Sequence, residues 1–153
     1  KNLPEGTTQV SASDIEKNVG ISRQYSIFEL TKELSFKNSA KALKIAAYIG
    51  SAAKFAMPMA VSALYTHYYR ILKYGALLMS DPRPANDQKV KVLGVNPYFI
   101  SEYDTAVRNY PVKKAMAAIA LLKEYDFKGK GGEVGEATDA QLMVELTAKL
   151  LNL

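Results

Sequence analysis

Gly94-Val-Asn-Pro-Tyr-Phe-Ile-Ser-Glu-Tyr-Asp-Thr-Ala-Val-Arg-Asn-Tyr-Pro111 runs directly into Val112-Lys-Lys-Ala-Met-Ala-Ala-Ile-Ala-Leu-Leu-Lys-Glu-Tyr-Asp-Phe-Lys128. Asn96 offers a side-chain oxygen to the unpaired amides of a first helical turn, and Pro97 stands at the first helical position, where its missing donor is not needed. Pro111 repeats the device. Ile100, Tyr103, Val107 and Tyr110 follow at helical spacing after the first proline; Val112, Ala115, Met116, Ile119 and Leu122 follow after the second. The stretch therefore predicts two consecutive amphipathic helices with almost no loop between them.

The same reading extends outward. Asp81 to Asn86 is a loop by its prolines and Asx residues, and a short helix to Leu93 is stopped by Gly94. Upstream, Pro58 opens the longest helix, to about Met79. Its apolar face holds Met57, Val61, Leu64, Tyr68, Ile71, Leu72, Gly75 and Met79, widened by Tyr65, Tyr69 and Ala76. Ser39 to Ile49 forms an Ala-rich helix with Leu43, Ala46 and Ala47 on one side, ended by Gly50. Ser26 and Glu29 form a capping box for a helix from Ile27 to about Phe36, preceded by a short helix from Ser13 that Gly20 stops. Downstream, Gly129 to Ala137 is a glycine-rich loop, and Thr138 with Gln141 caps a final helix whose stripe is Leu142, Leu146, Leu150 and Leu153. No stretch alternates at period two, so no sheet is expected.

Composition narrows the chemistry. The 153 residues, 48% hydrophobic, suffice for one core, and the absence of cysteine with a single His67 removes disulfides and thiolate or His-cluster metal sites. His67, Arg70 and Lys73 interrupt the longest apolar run, which argues against a membrane span. Gly129-Lys-Gly-Gly lacks the strand before it and the Lys-Ser/Thr after it that a phosphate loop needs. Glu124 and Asp126 lie two apart and diverge on a helix, His67 reads as packed at the core edge, and Met57 and Met59 read as core filler. No catalytic residue, cofactor site or metal site is expected. The net charge is +5, and from Leu34 to Ser80 six bases (Lys37, Lys41, Lys44, Lys54, Arg70, Lys73) stand without one acid. That block is either a solvated face or a phosphate track. Ten tyrosines with no tryptophan are read mainly as core rings with hydroxyls at the edge.

Leu93-Gly-Val-Asn-Pro-Tyr-Phe99, then Glu102-Tyr103, and a helix closing in Leu121-Leu-Lys-Glu-Tyr-Asp-Phe-Lys128, resemble the C-terminal domain of the delta subunit of the bacterial DNA polymerase III clamp loader. Ile15 to Gly20, Ile27-Phe-Glu-Leu30 and Ala42-Leu-Lys-Ile45 look like that family's passage from the lid domain into the same domain. The resemblance implies an all-α bundle of the collar type with about six to eight helices. Residues 1–25 would be a tail and lid-domain remnant, and 26–153 the collar domain, the whole being a fragment of a longer, cytoplasmic protein. It implies a non-catalytic role in DNA replication. The domain joins ATPase and delta-prime type subunits in a five-member collar, while the sliding clamp is met only through an N-terminal module. Lys128 and Lys130 would lie near template DNA, with Lys37, Lys41 and Lys44 as further DNA-binding candidates, and Asn96, Pro97, Tyr98 and Phe99 form the structural motif. The rival reading is an independent helical nucleic-acid-binding module using Lys37 to Lys73.

Overall fold

A computed structural model describes residues 19–131 and 137–153, with side chains from Ile27 onward. Among the described residues there are seven α-helices and no strand, as an all-α bundle requires. They are α1 (Val19–Ser35), α2 (Ser39–Gly50), α3 (Met57–Ser80), α4 (Asn86–Leu93), α5 (Ile100–Asn109), α6 (Val112–Gly129) and α7 (Asp139–Leu151). A short 3-10 turn, Pro97–Phe99, leads into α5.

The local punctuation acts largely as the sequence predicts. Gly94 ends α4 in the left-handed region at φ 65°, donating to the Val90 carbonyl. Thr138 and Gln141 close a reciprocal capping box, with Gln141 N–H donating to Thr138 Oγ1 at 3.1 Å and Thr138 N–H to Gln141 Oε1 at 2.8 Å. Asn96 Oδ1 accepts from the Tyr98 amide at 2.9 Å, although the turn it caps is 3-10 before the α-helix begins. Asn96→Ala is therefore expected to destabilise the chain by about 1 kcal/mol, with Pro97→Ala costing less. Thermal melts of the two variants check the order, and an unchanged Asn96→Ala melt would refute the cap.

Two expected signals are overridden. Gly20 does not stop a helix and Ser26 does not start one; both lie inside α1, which runs unbroken across residues 25 and 26. A cap contributes about 1 kcal/mol, while a helix already propagating gains a backbone bond with each residue, so a mid-helix glycine or serine is tolerated. Of the predicted helix from Ser13 to Val19, residues 13–18 lie outside the described residues, as do the loop residues 132–136.

The core forms where α3 crosses its neighbours. It packs antiparallel to α6: a Cβ on Gly129, at the end of α6, would stand 2.7 Å from Met57 Cβ, while one on Gly75 would stand 3.1 Å from Val112 Cγ2. α2 lies against α7, and Asp139 Oδ2 at the head of α7 accepts from the Met57 amide at 3.1 Å. Met57, Leu64, Tyr68, Ile71, Tyr74, Ala115, Ala118, Leu122, Tyr125 and Leu146 are fully buried between them.

Several assignments to the core are corrected. Met59, Met79 and Met116 are exposed, and so are Tyr65, Tyr69 and Ala47. On α2 the inward residues are Ala42, Ala46 and Ile49, and on α6 the inward arc turns toward Ala118 and Tyr125. Periodicity fixes the width of an apolar arc, but the neighbouring helices choose which edge of it is covered.

Candidate functional site

The basic candidates fall into two sets. Lys37 ends the turn after α1 at φ 55°, and its ammonium stands 4.9 Å from the Tyr110 ring centroid, where burial and then the Lys114 charge push its pKa down. Lys41 Nζ lies 3.3 Å from the buried Glu33 carboxylate, which also accepts from Asn38 Nδ2. Lys44 is exposed on α2. Lys128 pairs with Glu124 at 3.0 Å, the contact that raises its pKa, and stands over the Tyr125 ring; Lys130 pairs with Asp126 at 2.9 Å. Tyr110 adjoins the first turn of α6 and Lys128 occupies its last, so the sets are separated by an 18-residue helix, about 27 Å long. Arg70 is half-buried, and Lys73 stacks over Tyr69 at 5.0 Å.

His67 belongs to an internal network. Ser35 Oγ spends its proton on the Thr31 carbonyl at 2.9 Å, so at 2.8 Å it must accept from His67 Nε2–H. That leaves Nδ1 as acceptor for the Tyr103 hydroxyl at 3.2 Å. Asn109 Nδ2 donates to the Ser35 carbonyl at 2.8 Å, and the cluster thus ties α1, α3 and α5 together. Burial first, and Arg70 second, hold the imidazole pKa down to about 3. A neutral ring 4% exposed, with both nitrogens engaged, is built to pack and not to exchange protons with a substrate. Among the described residues no group of three His, Asp or Glu side chains converges for a metal. No described helix is long and apolar enough to cross a membrane.

What the surface does present is aromatic. Tyr98 and Phe99 are 81% and 44% exposed and meet edge to face at 5.2 Å. Tyr65 and Tyr69, one turn apart on α3, stack at 5.8 Å with planes 11° apart. Tyr68, Tyr74, Tyr103, Tyr110 and Tyr125 are buried, whereas Tyr48, Tyr65, Tyr69 and Tyr98 face outward. The sequence reading placed Tyr65 and Tyr69 on the flank of the core; the structure leaves them 41% and 44% exposed.

No family model, curated protein or solved structure matches this chain.

Proposed function

We propose that the chain is a non-catalytic assembly domain, the collar domain of a clamp-loader delta subunit, acting in the cytoplasm to hold the loader's ATPase and delta-prime type subunits in place. The carrying observation is the motif Asn96-Pro97-Tyr98-Phe99. Its first two residues fix the turn, and its last two turn an ordered aromatic pair toward solvent. Large exposed aromatics that pack on each other rather than into the core are the usual anchors of protein interfaces. Contact with DNA is weak or indirect in this reading, because Lys128, Lys130 and Lys41 already hold carboxylates. Such pairs reduce the charge available to phosphate.

Co-purification with the loader's ATPase subunits tests the proposal. The parent chain is expected to be retained, and Tyr98→Ser with Phe99→Ser to weaken retention about tenfold, the loss of a modest hot spot, while the melting temperature holds. Failure of the parent chain to co-purify, or full retention of the double variant, would overturn it.

A further inference from the structure

The antiparallel pair α3 and α6 leaves a shallow groove on the flank away from α5. Pro58, Val61 and Ser62 on one side and Leu122 and Asp126 on the other line a depression of about 240 Å³ at one end. At 100° per residue, the same flank of α3 carries Tyr65, Tyr69 and Ala76, and the same flank of α6 carries Lys123, Ile119 and Met116. Tyr65, Tyr69 and Met116 are 41%, 44% and 57% exposed, and Ile119 is half-buried between the walls. The floor is aliphatic and the walls are aromatic and thioether, a composition that accepts the apolar face of a helix.

Among the described residues the rims have one sign. Lys73 and Lys113 lie on the outer edges and Lys123 on the wall, all exposed. Among the described residues the one acid lining the groove, Asp126, is held by Lys130 at 2.9 Å. α3 contains no acidic residue along its 24 positions.

We propose that this groove docks an acidic amphipathic α-helix of a partner protein, its apolar stripe on Tyr65, Tyr69, Met116 and Ile119 and its carboxylates against Lys73 and Lys123. A second copy of the chain is disfavoured by its own net charge of +5. Single-stranded nucleic acid fits less well, since Tyr65 and Tyr69 cover each other's faces and the aliphatic floor offers a base nothing to stack on. The inference rests on elements other than the Tyr98–Phe99 turn and does not require the partners proposed above.

The test uses the whole chain and a labelled helical peptide of about 18 residues, enough to span the groove, with Leu at i, i+3, i+4 and i+7 and Glu on both flanks. Its twin carries Lys in place of Glu. Fluorescence anisotropy is expected to show the Glu peptide bound about tenfold more tightly than the twin. Tyr69→Ser with Met116→Ser should abolish binding. Lys73→Glu with Lys123→Glu should reverse the preference between the peptides, a result that unfolding cannot produce, and Tyr98→Ser should leave binding unchanged. Equal affinity for the two peptides, binding that survives Tyr69→Ser with Met116→Ser, displacement by oligothymidylate, or a self-associated chain in sedimentation would each overturn the proposal.

Discussion

Acidification from pH 7 to pH 5 is expected to cost the fold about 2 kcal/mol through His67 alone, rising to about 4 kcal/mol near pH 3. The imidazole is held down to about 3 in the native state, against an ordinary value near 6.5 in the unfolded chain. The sign follows from proton uptake. Between the two values the unfolded chain binds a proton that the folded one refuses, so the stability present above pH 6.5 drains away as pH falls. Protonation would also place a donor on Nδ1, where Tyr103 already donates. Glu102 acts in the opposite sense, because burial raises its pKa and its protonation favours the folded state. The His67 contribution is therefore isolated by difference. His67→Gln keeps an amide donor near Ser35 and cannot be protonated. Urea titrations at pH 7 and pH 5 should show the parent losing about 2 kcal/mol more than His67→Gln over that interval. Equal losses in the two proteins would mean that the ring is not buried as a neutral base.

Gly50→Val is expected to destabilise the chain by about 2 kcal/mol and lower its melting point by about 6 °C. Gly50 reads as a helix stop, yet it is the last residue of α2 and Ser51 after it keeps right-handed backbone angles. Its actual task is close approach. A Cβ there would stand 3.0 Å from Ala140 Cα and 3.3 Å from the Ala140 carbonyl oxygen. Both are backbone atoms in the first turn of α7, beside the Thr138–Gln141 capping box and the Asp139 contact to Met57, so they cannot swing aside as a side-chain tip would. The higher helix propensity of valine recovers only about 0.4 kcal/mol. Gly50→Ala should fall between parent and Gly50→Val, since it adds the crowding carbon without the branch. Calorimetry of the three proteins gives the order; a Gly50→Val melt at or above the parent's would show that α2 and α7 are not in backbone contact.

The two tests bear on function through the frame they probe. His67 joins α1, α3 and α5, and α5 follows directly on the Tyr98–Phe99 turn. Gly50 holds α2 on α7, whose head is tied to the start of α3, where the groove with α6 begins. Loss of either contact should blur a surface without touching an exposed residue on it.

Features that depend on neighbours a few residues away follow from the chain alone. Gly94 as a left-handed helix end, Asn96 as the cap of a proline-led turn, Pro58 opening the longest helix and the Thr138 box were all legible. In each case a side chain satisfies, or a ring removes, a backbone group within one turn. Tertiary structure decided what depends on which face meets which helix. It covered Tyr74 and His67 while leaving Tyr65, Tyr69 and Met116 open, and made Gly50 a point of contact. It also separated Lys37 and Lys41 from Lys128 and Lys130 by the length of α6, and set Glu33 of α1 beside Lys41 of α2. A local signal contributes about 1 kcal/mol or less, whereas burying one large side chain contributes about 1.5–3 kcal/mol. The second term depends on residues distant in sequence, and no periodicity along one helix records where those will lie.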